Sequence, residues 1–247
     1  MLTFPPMSRQ TSPAHRSVAT SPPWSIPSAD VTVQPTCAEE VFAEIYWTNA
    51  WNGSDSVSGT GSDLVQTRII AREIPVLCAR LGVRTLLDVP CGDFHWMSRV
   101  DLNGVEYTGA DVVDDIVSRN QRQHSRKGVR FRSLNLIQDR LPRVDLILCR
   151  DCLVHLPFSD VFSALGRICE SRSEFLLTTT FTTRTDNEDI SMGDWRPLNL
   201  ERPPFVLPPP LRVINEGCTE GDGYFDDKSL GLWRVADIRR RLQSGRT

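Results

Sequence analysis

Two aspartates beside glycine turns are the residues of this sequence best placed to do chemistry. Asp88 ends a short apolar run and leads into a tight turn at Gly92, and Asp111 ends the next apolar run 23 residues later. A carboxylate beside closely approaching backbone repels phosphates and favours a cation or hydroxyl donors. An acid in the position of Asp111 can also accept two hydrogen bonds from vicinal ribose hydroxyls. The alternatives are an ordinary β-turn at Gly92 and an aspartate that only begins the next helix.

Asp151 and His155 are the candidates for a general base, because both follow the fourth apolar run. A purely structural histidine is the alternative. The segment 186–200 follows the fifth run and is too polar for a core. Its Trp195 and Arg196 offer a flat surface and a fixed charge that suit a bound substrate. A solvated loop is the alternative for this segment.

Seven short β-rich runs must position these residues. They are 84–89, 105–110, 129–133, 144–149, 174–180, 211–215 and 230–235. Helical spacing is found in 64–81 (broken near Pro75), in 114–124, and in a segment that begins at Ser159 as N-cap and places Val161, Phe162, Leu165, Ile168 and Cys169 on one face. Strands that alternate with helices predict an α/β fold with a parallel sheet covered on both faces. The last two runs have no helix between them, which predicts an antiparallel pair at the sheet edge.

Together these features resemble the class I methyltransferases that depend on S-adenosylmethionine (SAM), over residues 40–240. The most specific match is the Asp-x-Pro-Cys-Gly-Asp sequence at 88–93, which is typical of one subgroup. Gly109-Ala110-Asp111, the stretch 145–151 and His155-Leu156 also match. The resemblance implies a Rossmann-like methyltransferase fold, with a seven-stranded, mostly parallel sheet, helices on both faces and an antiparallel edge strand.

The resemblance also implies SAM as cofactor and methyl transfer to an acceptor as activity. The cofactor-binding residues that it implies are Asp88, Pro90, Cys91, Gly92, Asp93, Asp111, Asn135, Leu136 and Arg150. Asp88 and Gly92 are expected near the methionine part, and Asp111 at the ribose. Asn135 departs from the pattern, since many members carry Asp there toward the adenine amino group. Its amide oxygen can still accept that hydrogen bond.

A glycine-containing stretch at 58–63, beside Trp47 and Trp51, is similar to one in the same subgroup. It is expected either to close over the cofactor and exclude water or to form a flexible surface loop. Cys149 and Cys152 are predicted to be core thiols, because no second cysteine pair completes a zinc site. No metal is expected.

Composition limits the partners and the compartment. The net charge of −3 provides no basic field for nucleic acid, so a small molecule or a saccharide is the expected acceptor. The sequence contains no run of 18 consecutive apolar residues, so no membrane-spanning helix is expected. Seven cysteines, several inside apolar runs, indicate reduced thiols and a cytoplasmic protein.

The chain is expected to contain one domain, residues 37–247, behind a disordered tail, residues 1–36. The tail holds 7 of the 17 prolines and has no acidic residue before Asp30, so organelle import is the alternative to a plain tail. A non-catalytic module that binds SAM or its product is the alternative function. An acceptor pocket near Trp195 and Asp151 would distinguish the two. A nicotinamide-dependent oxidoreductase is disfavoured, because the three-glycine dinucleotide pattern is missing.

Overall fold

Seven strands form one sheet in the computed structural model, which describes residues 37–244. They are β1 Thr85–Asp88, β2 Glu106–Asp111, β3 Val129–Ser133, β4 Leu146–Cys149, β5 Phe175–Phe181, β6 Arg212–Asn215 and β7 Lys228–Arg234. The strand order is β3-β2-β1-β4-β5-β7-β6. The first five strands pair in parallel, and β7 pairs antiparallel with both β5 and β6. The predicted fold class and the antiparallel edge pair are confirmed.

Alternate residues of the central strands build a core on each face of the sheet. Every residue of β4 and β5 is buried, as expected for strands covered on both sides. Leu87 and Ile147 pack on one face with the helices Phe158–Ser171 and Val235–Ser244, and Leu86 and Leu148 pack on the other face with the helix Ile70–Leu81. The six helices of the described residues are α1 Ala38–Thr48, α2 Leu64–Thr67, α3 Ile70–Leu81, α4 Asp114–His124, α5 Phe158–Ser171 and α6 Val235–Ser244.

The helix predicted over 64–81 is divided before Ile70 and not at Pro75, so that detail of the prediction is wrong. Pro75 lies inside α3, where a proline costs about 3 kcal/mol. Ile70, Ile74 and Leu77 of the same helix are almost fully buried. Burial of each such side chain contributes about 1.5–3 kcal/mol, and this packing outweighs the cost of the proline.

The start of α5 also differs from the prediction. The helix begins at Phe158, so Ser159 lies in its first turn and is not its N-cap. The Phe158 N–H donates to Asp189 Oδ1 at 2.7 Å, so a carboxylate from segment 186–200 caps the helix from a distance in sequence. Phe162, expected on the buried face, is 37% exposed.

The tail predicted for residues 1–36 lies outside the described residues, so the tail and the domain boundary at residue 37 stay predictions. Among the helices of residues 37–244, none combines the length and the apolar character that a bilayer crossing requires.

Candidate functional site

The first cavity opens at the carboxyl ends of β1, β2 and β4, where the strand order reverses between β1 and β4. Ligands of open parallel sheets bind at this kind of reversal. All nine residues that the sequence marked for cofactor binding lie on its wall, together with both general-base candidates. They are Asp88, Pro90, Cys91, Gly92, Asp93, Asp111, Asn135, Leu136, Arg150, Asp151 and His155. The sheet therefore brings together five separate stretches of sequence, although their binding roles stay predictions.

Asp88 and Asp111 present buried carboxyl groups at the ends of β1 and β2. Burial raises the pKa of Asp88 to about 7, although its Oδ2 accepts the Tyr107 hydroxyl at 2.6 Å. Burial also raises the pKa of Asp111 to about 6, opposed by the N–H groups of Val113 at 3.1 Å and Gly92 at 3.0 Å. Asp111 is therefore mostly ionised at neutral pH and can accept hydrogen bonds from a ligand.

The turn at Gly92 has room only for glycine. Its φ is +53°, and a Cβ there would lie 2.2 Å from Ser58 Oγ. The same Oγ accepts the Asp93 N–H at 3.1 Å. The Asp93 carboxylate in turn accepts the Ser56 hydroxyl at 3.0 Å and the Val57 N–H at 3.1 Å. The glycine-rich segment, defined here as residues 56–62, therefore packs directly on the turn after β1.

The far end of the glycine-rich segment is held by two other parts of the site. Arg150 Nη2 donates to the Gly61 carbonyl at 2.8 Å. The Thr60 hydroxyl donates to Glu220 Oε1 at 2.5 Å. The sequence left two possibilities for the glycine-rich segment, a cover over the site or a flexible surface loop. These contacts favour the cover. Trp51 lines the first cavity, whereas Trp47 is 69% exposed.

An ion network joins β4 to the edge of the sheet. Arg150 donates through Nε and Nη2 to Glu216 Oε2, at 3.1 and 2.7 Å. Asp151 Oδ2 lies 3.2 Å from Arg150 Nη1 and 2.7 Å from Lys228 Nζ. Burial alone would raise the pKa of Asp151, but the charges of Arg150 and Lys228 lower it to about 2. Asp151 is therefore ionised and a very weak proton acceptor.

His155 is held as a neutral imidazole. Its ring stacks on Trp51 with centroids 4.5 Å apart, and its Nδ1 lies 2.9 Å from the Asp194 backbone oxygen. A carbonyl oxygen only accepts hydrogen bonds, so Nδ1 carries the proton and Nε2 keeps its lone pair. Burial lowers the pKa of His155 to about 4. Of the two general-base candidates, His155 is the better placed to accept a proton at neutral pH.

A second cavity adjoins the first and shares part of its wall. Trp51, Ser58, Asp151 and His155 line both cavities. The rest of the lining of the second cavity consists of aromatic side chains with polar residues beside them. It comprises Gly59, Thr60, Gly61, Phe181, Trp195, Cys218, Glu220, Phe225 and Lys228. Trp195, predicted to contact a substrate, therefore lies on the wall of a cavity next to both general-base candidates.

Arg196 lies in neither cavity, which overturns the expectation that its charge faces a substrate. The residue is 5% exposed. Its guanidinium donates to the carbonyls of Leu153 at 2.8 Å, Leu156 at 2.6 Å and Glu188 at 3.1 Å. Arg196 thus supports the turn that carries His155. The end of segment 186–200 is core, with Leu198 and Leu200 fully buried, so the view that the segment is too polar for a core is wrong for this half.

Asn135 lines the first cavity, but its amide oxygen does not face a ligand in the way expected for contact with an adenine amino group. Its Oδ1 accepts the N–H groups of Ile137 at 2.9 Å and Gln138 at 3.3 Å, as Asn commonly does in a turn. Both lone pairs of that oxygen are therefore engaged, so it is not available to an adenine amino group. Its Nδ2 donates to Glu39 Oε1 at 2.7 Å.

Several residues of the site were not foreseen from the sequence. Ala38, Phe42 and Tyr46 of α1 line the first cavity, and their spacing of four residues was a detectable helical signal. Lys228 and Glu216 had no such signal, because they approach Arg150 and Asp151 only through the pairing of β5, β6 and β7. Cys149 is buried in β4 as predicted, whereas Cys152 is half-buried and lines the first cavity.

No family model and no curated protein matches this sequence. The fold is similar to that of magnesium protoporphyrin IX methyltransferase from Synechocystis PCC 6803 with bound SAM, at 12% identity and a TM-score of 0.56, covering 81% of this chain and 98% of that chain. Human N-acetylserotonin methyltransferase in complex with SAM matches at 14% identity and a TM-score of 0.53, covering 80% of this chain and 59% of that chain. The methyltransferase domain of bacterial CtHen1-CN matches at 14% identity and a TM-score of 0.52, covering 70% of this chain and 100% of that chain. This chain therefore has the Rossmann-like fold of the class I methyltransferases.

Proposed function

We propose that this protein transfers a methyl group from SAM to an acceptor in the second cavity and releases S-adenosylhomocysteine. The observation that carries the proposal is the shared wall of the two cavities, formed by Trp51, Ser58, Asp151 and His155. A ligand in the first cavity and a ligand in the second cavity would both lie next to these four residues, and would therefore be adjacent to each other beside His155. The similarity of the fold to structures that hold SAM supports the cofactor assignment.

The first cavity suits SAM in the charge and the polarity of its lining. Burial raises the pKa of Asp88 to about 7 and that of Asp111 to about 6, so a cationic sulfonium nearby would favour their ionised forms. Asp111 is assigned to the ribose hydroxyls, and Asp88 with the Gly92 turn to the methionine part. Leu134 and Leu136 give an apolar wall for the adenine. The subgroup with the Asp-x-Pro-Cys-Gly-Asp sequence stays part of this proposal.

The residues of the chain orient the acceptor and manage its proton. SAM supplies an electrophilic methyl group, and in-line displacement needs alignment more than covalent help, worth about 7–11 kcal/mol in favourable cases. His155 Nε2 is assigned as the proton acceptor where the acceptor must lose a proton. Asp151, ionised between Arg150 and Lys228, is assigned to positioning those cations.

The acceptor is proposed to be a small molecule or a saccharide. The second cavity is a partly enclosed recess that adjoins the first cavity, and small-molecule pockets are concave sites of this kind. Its aromatic wall, with polar side chains beside it, resembles such pockets more than a nucleic-acid surface. The cytoplasm is proposed as its compartment, since Cys78, Cys149 and Cys169 are buried free thiols.

The deciding experiment combines binding and transfer. The full chain is first tested for thermal stabilisation by S-adenosylhomocysteine, with NAD as the control ligand. It is then incubated with a metabolite extract and methyl-labelled SAM, and labelled products are identified by mass spectrometry. Stabilisation with a labelled product supports the proposal. Stabilisation without any product in repeated extracts favours the non-catalytic binding module, and stabilisation by NAD alone overturns both.

A further inference from the structure

We infer that the acceptor is a phenol, bound with its ring against the aromatic wall of the second cavity and its oxygen at Lys228 Nζ. This inference rests on the proposed function and names its substrate class. It also assigns Lys228, which the sequence had not marked, as the residue that stabilises the acceptor oxygen.

The aromatic wall is suited to a planar, uncharged ring. Phe181, Trp195 and Phe225 pack edge to face, with centroid distances of 5.9, 6.0 and 4.9 Å between the three pairs. Trp51 closes the cavity beside His155. An aromatic ligand gains both burial and favourable ring geometry in such surroundings.

Lys228 places a buried ammonium group in this aromatic cavity. Its side chain is 8% exposed, and Nζ donates to Asp151 Oδ2 at 2.7 Å. Burial opposes the charge, but the carboxylates of Asp151 and Glu216 raise the pKa of Lys228 above its usual value. An ammonium has three N–H donors, and the hydrogen bond to Asp151 uses one of them. The remaining donors suit an acceptor oxygen that gains negative charge.

The charges around the cavity favour a neutral acceptor that reacts at oxygen. Arg150 and Lys228 carry two positive charges, and Asp151, Glu216 and Glu220 carry three negative charges. A carboxylate on the acceptor would add to this excess of negative charge. A hydroxyl that becomes an oxyanion during the reaction is stabilised by the same ammonium.

The strength of the base separates a phenol from an aliphatic alcohol. Burial lowers the pKa of His155 to about 4, so the imidazole is a weak base. A phenol has a pKa of about 10, as in tyrosine, whereas that of an aliphatic alcohol is close to the value of about 15.7 for water. The proton of a phenol is therefore about six orders of magnitude easier to transfer to His155.

The step balances without any further reactant. The phenol O–H bond breaks and its proton goes to His155 Nε2, while the oxygen forms a bond to the methyl carbon of SAM. The carbon–sulfur bond breaks, and its electron pair stays on sulfur. The products are an aryl methyl ether, neutral S-adenosylhomocysteine and a protonated histidine that passes its proton to solvent.

The test uses the full chain saturated with S-adenosylhomocysteine and ligand-observed saturation-transfer NMR. The probes are phenol, toluene, benzyl alcohol, benzylamine and methyl glucopyranoside. Phenol is expected to bind about 10-fold or more tighter than toluene, the ratio expected for one hydrogen bond to a charged group. In a parallel incubation with methyl-labelled SAM, phenol is expected to yield labelled anisole. Equal binding of phenol and toluene, or a labelled amine or glucoside without anisole, overturns the inference.

Two lysine variants localise the effect. Lys228→Met is expected to reduce phenol binding to the level of toluene and to leave S-adenosylhomocysteine binding unchanged, and Lys228→Arg is expected to retain part of the preference for phenol. Lys127, the other lysine of the chain, is exposed, so Lys127→Met is the matched control and is expected to behave as wild type. Phenol binding that survives Lys228→Met contradicts the assignment.

The outcomes separate this inference from the function on which it rests. Failure of the wild-type chain to bind S-adenosylhomocysteine refutes the proposed function. Binding of S-adenosylhomocysteine with no preference for phenol refutes the inference alone. If Lys228→Met does not fold, the comparison of phenol with toluene on the wild-type chain still decides the question.

Discussion

The carboxylate of Asp111 accepts the backbone N–H of Gly92 at 3.0 Å, so the end of β2 is tied to the turn after β1. This hydrogen bond joins the turn at Gly92 to Asp111, the two features of the sequence that first indicated a ligand site, within one wall of the cavity. It also orients the carboxylate toward the first cavity, where both residues lie. The contact is possible because β1 and β2 pair in parallel and end at the same edge of the sheet.

Asp111→Asn is expected to weaken S-adenosylhomocysteine binding by about 1.5–3 kcal/mol, because a hydrogen bond to a charged group contributes about that much. Isothermal titration calorimetry measures the change. Asp115→Asn is the matched control, since Asp115 is an exposed acid in α4. Equal affinity for the two variants would remove Asp111 from the ribose site.

Gly92→Ala is expected to weaken cofactor binding, because the new Cβ would lie 2.2 Å from Ser58 Oγ and must displace the glycine-rich segment. Gly104 has a φ of +80°, but a Cβ added there would have no atom of a non-adjacent residue within 4 Å. Gly104→Ala therefore carries only the backbone strain of about 1–2 kcal/mol. Comparison of the two variants by thermal unfolding and by S-adenosylhomocysteine titration separates strain from the clash. Ser58→Gly in the Gly92→Ala background should restore part of the affinity.

Trp195→Ala and Arg196→Met are expected to fail in different ways. Trp195 lines the second cavity, so its loss should reduce methyl transfer and leave S-adenosylhomocysteine affinity unchanged. Arg196 donates to three backbone carbonyls, and each acceptor left without a partner costs about 1–3 kcal/mol. Arg196→Met should therefore lower the free energy of unfolding by about 3 kcal/mol or more in denaturant titrations. An Arg196→Met protein that is stable but inactive would indicate that Arg196 contacts the substrate after all.

His155 should make the stability of the fold depend on pH. Burial lowers the pKa of His155 to about 4 in the folded state, against about 6.5 in the unfolded chain. Between these values the unfolded chain binds the extra proton, so the contribution of His155 is present above pH 6.5 and is lost as pH falls toward 4. Asp88 and Asp111, with raised pKa values, act in the opposite direction over part of this window.

A comparison with His155→Gln isolates the histidine from those aspartates. The free energy of unfolding of wild type minus that of the variant is expected to fall by about 3 kcal/mol from pH 7 to pH 4, at 1.36 kcal/mol for each pKa unit. Denaturant unfolding across this pH range measures the difference. A difference that stays constant with pH would show that His155 is not held neutral by burial.

The sequence by itself determined the strands and the position of the first cavity. All seven predicted runs correspond to strands whose ends differ from the prediction by at most two residues, because β-rich apolar runs between turn residues are a local signal. Asp88, Gly92 and Asp111 could be placed together because parallel strands end at one edge of the sheet. These conclusions needed only chain order and alternation of strands with helices.

Only the tertiary structure decided how the polar side chains are used. Lys228 and Glu216 meet Asp151 and Arg150 across 77 and 66 residues of sequence, through strand pairing that no local pattern specifies. Arg196 turns inward because the carbonyls of a distant turn need donors. Whether a charged side chain faces a ligand or completes the core depends on the partners that packing brings to it, and those partners come from elsewhere in the chain.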